Sequence, residues 1–139
     1  CQAVQWLAFA SNAFNTLVPF YAAVDETPEY LANTTKEVST ENFYWSARMI
    51  AAMADASFAK SAIHIERYQN AVQAKGHALL RKYDAEAAKI TDPAESRRLL
   101  EKANREIAKM LKEETGNTLD HVLFELSNSM KNAFSRSDA

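Results

Sequence analysis

Apolar residues recur every three or four positions through most of the chain after residue 38, the period of helices with one buried face. Phe43, Ala47, Ile50, Ala51, Ala54 and Phe58 make the first such stripe. Ser39 or Thr40 is placed to cap it, because a side-chain oxygen there accepts an otherwise unpaired N–H of the first turn. Ile65, Tyr68, Val72, Gly76, Leu79 and Tyr83 alternate in steps of three and four, the spacing of a helix packed along a partner. Gly76 lies inside that stripe, so it reads as allowing a close approach rather than making a turn. One helix from 40 to 90 would exceed ordinary globular lengths, which predicts a break between Asp55 and Ser61. The third helix has the clearest start: Asp92 as N-cap, Pro93 at the first helical position and Glu95 completing a capping box. Its stripe is Leu99, Leu100, Ala103, Ile107, Met110 and Leu111, and Gly116 is expected to stop it in the left-handed conformation. A fourth helix then buries Leu119, Val122, Leu123, Leu126 and Met130, ahead of a polar, frayed end from Ser135 to Ala139.

Residues 1–38 follow a different pattern. Gln2 to Ala10 is a short apolar run, and periodicity alone does not separate strand from helix at this length. Ser11-Asn12 follows as a break, and Leu17-Val18-Pro19-Phe20-Tyr21 resumes in β-type residues, which favours strand. Asp25-Glu26-Thr27-Pro28 reads as a turn and Asn33-Thr34-Thr35 as a loop. The expectation is a mainly α fold, about four helices forming a bundle over 39–139, preceded by one or two short strands within 1–38.

Composition agrees and narrows the function classes. Of 139 residues, 2 are Gly and 3 are Pro, too few to turn an all-β sandwich every 8–12 residues or so. With 16 basic and 18 acidic residues there is no surplus charge for a general nucleic-acid or anionic-membrane binder. No apolar run approaches the roughly 18–20 residues of a membrane span. The single cysteine excludes an intrachain disulfide and points to a reducing, cytoplasmic setting.

Candidate chemistry begins at the first residue. Cys1 stands where a methionine would, which predicts either processing or a cut from a longer protein. An N-terminal Cys thiolate can attack a carbonyl with its own α-amine as base, but such catalysts sit between layered sheets that need many strands. A boundary falling on a cysteine is the preferred reading. His64, His77 and His121 lack i, i+4 spacing, His-Glu-x-x-His and Glu-x-x-His, so they read as polar-face or boundary histidines and no metal is expected. Glu101 with Arg105, Lys102 with Glu106, and Lys109 with Glu113 read as i, i+4 pairs on a solvated face. Phe43-Tyr44-Trp45 spans most of a helix circumference and reads as core.

Several of these motifs together resemble the N-terminal-nucleophile cysteine dipeptidases, the bacterial dipeptidase D type related to penicillin acyltransferases and secernins. The likeness is carried by Val4-Gln5-Trp6, by Ser11-Asn12-Ala13-Phe14-Asn15 running into Val18-Pro19-Phe20-Tyr21, and by the stretch Asn33 to Trp45. Arg67-Tyr68-Gln69 and Ala71-Val72-Gln73-Ala74-Lys75-Gly76-His77 extend it, so that it covers about residues 4 to 90. The resemblance implies hydrolysis of dipeptides by a cysteine thiolate without a cofactor. It makes 1–38 a remnant of the catalytic-domain sheet and 39–139 a helical extension. The family's nucleophile opens a Cys-Thr/Ser-rich strand near the start of the full protein. Cys1-Gln2-Ala3 does not match that opening, so no catalytic residue carries over. Ser11 and Asn12, at a strand end, are the candidate substrate-binding residues. The expected partners are dipeptides in the intact enzyme and a second copy of the chain, since an unpaired apolar strand is a template for self-association. The competing reading is a non-enzymatic, all-helical interaction or assembly domain.

Overall fold

A computed structural model describes residues 2–8, 14–32 and 34–137, with side chains as far as Met130. Two strands, β1 (Val4–Leu7) and β2 (Val18–Tyr21), precede four helices: α1 (Glu29–Ala32), α2 (Phe43–Ala56), α3 (Phe58–Ala87) and α4 (Pro93–Ser137). The mainly helical fold with a short strand pair at its head is the architecture expected from the sequence.

The strands are antiparallel, with Val4 opposite Tyr21 and Leu7 opposite Val18. Ala22 donates its N–H to the Ala3 carbonyl at 3.0 Å, so the bonded pairs alternate from there through Gln5 with Phe20 and Leu7 with Val18. Val4, Trp6, Pro19 and Tyr21 therefore turn their backbone groups away from the partner strand. Pro19 has no N–H to lose at that position. All four residues of β2 are buried, whereas Gln5 and Trp6 of β1 are exposed.

Helix boundaries follow local chemistry. The cap of α2 is Asn42, not Ser39 or Thr40: its Oδ1 accepts the Trp45 N–H at 2.9 Å while its Nδ2 donates to Thr35 Oγ1 at 3.3 Å. Ser39 instead accepts the Glu41 N–H, closing a local turn. The expected break falls at Ser57, whose backbone leaves the helical region and whose hydroxyl bonds the Met53 carbonyl at 3.2 Å. Because a new helix starts there, Phe58 leaves the α2 stripe and is 58% exposed, edge-on to Phe14. One turn of helix, α1, follows Pro28, whose carbonyl accepts from both Leu31 and Ala32.

Gly116 does not stop a helix. The third and fourth expected helices are one, α4, and Gly116 sits within it in helical conformation. Glycine in a helix interior costs about 1 kcal/mol relative to alanine. The buried row Leu111, Thr115, Thr118, Leu119 and Val122 runs straight through the position, and burying Leu119 and Val122 recovers about 1.5–3 kcal/mol each. Leu123 and Met130 flank that row and are exposed, contrary to expectation.

The long helices α3 and α4 run antiparallel, since Lys82 meets Glu106, Lys75 meets Glu114, Tyr68 meets Thr115 and His64 meets Glu125. Glu106 and Glu101 thus serve contacts between elements: Glu106 pairs with Lys82, and Glu101 accepts the Asp25 N–H at 3.3 Å. The β2 strand lies along α3 and α4. There Gly76 does what its place in the stripe implied, although its close neighbour is a strand: a Cβ on it would lie 3.0 Å from Pro19 Cδ. Of the aromatic triplet, Phe43 is core, while Tyr44 and Trp45 are half-buried beneath the Arg48 guanidinium.

Candidate functional site

The most specific polar structure in the molecule joins the strand pair to the helices. Asn104, 2% exposed on the inner face of α4, accepts the Tyr21 N–H through Oδ1 at 2.8 Å and donates Nδ2 to the Tyr21 carbonyl at 3.0 Å. Its carboxamide thus replaces the next strand at the outer edge of β2, satisfying both backbone groups that β1 leaves unpaired. On the other side, the Tyr21 phenol shares its hydrogen between the Leu80 carbonyl at 3.1 Å and Asp84 Oδ1 at 2.9 Å, both on α3. Burial, then the bond to Asp84, raises its pKa above the ordinary phenol value. Tyr68 is likewise raised by burial, partly offset by its bond to Thr115. Burial and the nearby Glu106 carboxylate push Tyr83 up to about 12. All three phenols are neutral donors or core groups at ordinary pH.

Beside this clamp lies an open groove of about 400 Å³. Trp6 and Leu17 form its apolar walls, 39% and 58% exposed. Its other side is a row on α3, Gln69, Gln73 and His77, spaced four residues apart so that they share one helix face. Gln69 Nε2 donates to the Asn15 carbonyl at 2.6 Å, and Asn15 Oδ1 accepts the Thr16 N–H at 2.8 Å, so the chain entering β2 is pinned to that row. The His77 ring is tilted against Trp6 with centroids 5.1 Å apart. Its described lining offers carboxamides, a hydroxyl, one imidazole and apolar surface.

Ser11 and Asn12, the expected substrate-binding residues, lie outside the described residues, as does Cys1. The histidines sort differently from one another. His64 and His121 stack across the α3–α4 seam, 5.0 Å apart and nearly parallel, with His64 Nε2 3.2 Å from Glu125 Oε1. Among the described residues no group of three or more His, Cys, Asp or Glu could hold a metal ion. No helix of the described residues is long and apolar enough to cross a membrane. The clamp and groove were not anticipated. Their sequence signals are an asparagine inside the apolar stripe of α4 and the four-residue spacing of Gln69, Gln73 and His77.

Comparison with known proteins gives this geometry a setting. The dipeptidase of Bifidobacterium longum (strain NCC 2705) is 38% identical over 174 residues, covering 99% of this chain and 33% of that protein. The probable dipeptidase A of Streptococcus pyogenes serotype M3 (strain SSI-1) is 41% identical over 138 residues, covering 98% of this chain and 28% of that protein. A probable dipeptidase B of Lactococcus lactis subsp. lactis (strain IL1403) matches over 55 residues at 40% identity. The chain therefore spans about a third or less of the length of these relatives. The model of peptidase family C69 matches residues 1–71, a stretch that takes in both strands, the Tyr21 position that Asn104 clamps, and α2. The chain belongs to peptidase family C69.

Proposed function

We propose that these 139 residues are the helical, sheet-supporting part of a dipeptidase whose cysteine nucleophile lies outside them. The observation that carries the reading is the match, along nearly the whole chain, to proteins named dipeptidases that are about three times its length. The geometry of the described residues agrees with a supporting role, since the Asn104 clamp holds the strand pair against the helices. In the proposed mechanism a thiolate attacks the scissile carbonyl, the amine leaves with a proton, and water releases the acyl group. The contribution of this chain is positional. Asn104 and Tyr21 fix the strand pair on α3 and α4, and Ser11 and Asn12, in the sequence between the two strands, are the proposed substrate contacts. Family membership favours this reading over a helical assembly domain without a peptidase parent.

The test is release of free amino acids from several dipeptides by the isolated chain, with and without Cys1→Ala. The expected result is no turnover above buffer in either. Thiol-dependent turnover that disappears in the Cys1→Ala protein contradicts the proposal.

We also propose that the isolated chain self-associates through the outer edge of β1, where Val4 and Trp6 turn their backbone groups away from β2. Sedimentation should show an oligomer. A monomer with a proteolytically labile first 20 residues or so would rule this edge out.

A further inference from the structure

The cleft between the 26–30 segment and α4, about 450 Å³ in volume, carries charge of both signs on opposite walls. Glu101, Arg105, Lys109 and Lys112 line its helix wall, three or four residues apart and so on one face of α4. Glu26 and Glu29 line the wall that faces it. The i, i+4 partners expected along α4 are engaged elsewhere: Glu101 accepts the Asp25 N–H, and Glu113 acts with Glu114 on the Lys75 ammonium. Lys112 reaches away to Glu41. Arg105, Lys109, Glu26 and Glu29 take part in none of the ion pairs among the described residues. All four are exposed, whereas Tyr30 and Ala108, which also line the cleft, are buried. The buried lining forms a floor and the exposed charges form two rims, cationic on α4 and anionic on the 26–29 segment.

Rims of opposite charge that do not pair with each other fit a ligand that carries both charges itself. We propose that this cleft binds a small zwitterion, a free amino acid or a dipeptide, with its carboxylate on Arg105 and Lys109 and its ammonium on Glu26 and Glu29. The Arg105 guanidinium presents a planar fork of N–H donors that matches a carboxylate, and the glutamates accept from the ammonium. An ion of one sign would satisfy one rim and be repelled by the other. The side chain of the ligand lies over the floor, against Pro28 and Ala108. Because the rims are exposed, water and salt screen each contact, so the site is a millimolar one that weakens with ionic strength. The assignment follows from charge and placement alone and stands whether or not the chain serves a dipeptidase.

The experiment is an NMR titration of the isotopically labelled full chain with leucine, glycyl-leucine, N-acetyl-leucine and leucine amide, at a slightly acidic pH that keeps the last a cation. It is read at the Arg105 Nε–H and the backbone N–H groups of Glu26, Glu29 and Tyr30. At least one of the two zwitterions should move these signals together, and the tighter of them identifies the source as amino acid or dipeptide. The singly charged analogues should bind about threefold more weakly or worse, and added salt should weaken the zwitterion. Arg105→Gln and Glu29→Gln, both at exposed positions, should each weaken it by about threefold or more while the far-ultraviolet dichroism is unchanged. No shift with either zwitterion at millimolar concentration overturns the proposal. So does a singly charged analogue that binds as tightly as the zwitterion, binding indifferent to salt, or full binding by either variant.

Discussion

Asn104 does what no apolar residue of the stripe beside it could do, pairing both backbone groups at the outer edge of β2. Its two bonds to Tyr21 are made in a site where Tyr21 is 2% exposed, so nothing but protein can replace them. Substituting Asn104 by Leu keeps the branching at Cγ and strands a backbone donor and an acceptor, each of which costs about 1–3 kcal/mol when buried unpaired. We expect Asn104→Leu to lower stability by about 2–4 kcal/mol, read as a lower urea midpoint at unchanged slope. A variant of wild-type stability would mean that the clamp is not what holds β2. The sequence marks Asn104 only as a polar residue on an apolar face. Its partner is 83 positions away, and no periodicity reports a contact at that separation. The Trp6 groove was not legible for the same reason, since its far wall depends on where α3 passes.

At the scale of elements, the two glycines separate what periodicity can and cannot say. Gly76 falls within an apolar stripe and Gly116 reads as a stop, yet both lie in helices. Gly76 faces the ring of Pro19, where an added Cβ has no room, and Gly116 faces open space. Gly116→Ala should therefore stabilise by about 0.5–1 kcal/mol, the helix-propensity difference alone. Gly76→Ala should destabilise despite the same gain, because forcing a rigid ring aside costs about 1–3 kcal/mol. Paired denaturation curves check both signs, and a stabilising Gly76→Ala would mean that the strand is not seated on α3. The helical stripes, the Asp92 start and the break at Ser57 were legible because each rests on residues within a turn or two. Reading Gly116 as a stop failed because a local glycine signal was outweighed by burial that continues on either side, at Thr115, Thr118, Leu119 and Val122. The cap of α2 moved to Asn42 for a related reason. Asn42 also bonds Thr35, a link between segments that composition does not display.

For the whole molecule, the picture is a long antiparallel helix pair with a short strand pair packed against it. Among the described residues one edge of the sheet is closed by Asn104 and the other, along β1, has no partner. Asn104 seals β2, so a sheet built on this hairpin can grow only past β1. The low glycine and proline content expresses the same division, since the chain supplies helices and one hairpin but not a strand-rich layer. The central claim, that this chain does the work of the matching part of a dipeptidase, is open to a direct exchange. The aligned 138-residue segment of the Streptococcus pyogenes relative can be replaced by the present chain in the full-length protein, and release of amino acids from dipeptides measured for parent and chimera. We expect the folded chimera to keep turnover within about tenfold of its parent, a difference of about 1.4 kcal/mol in the barrier, and to be indifferent to Cys1→Ala. A folded chimera without turnover, or one silenced by Cys1→Ala, would contradict the account.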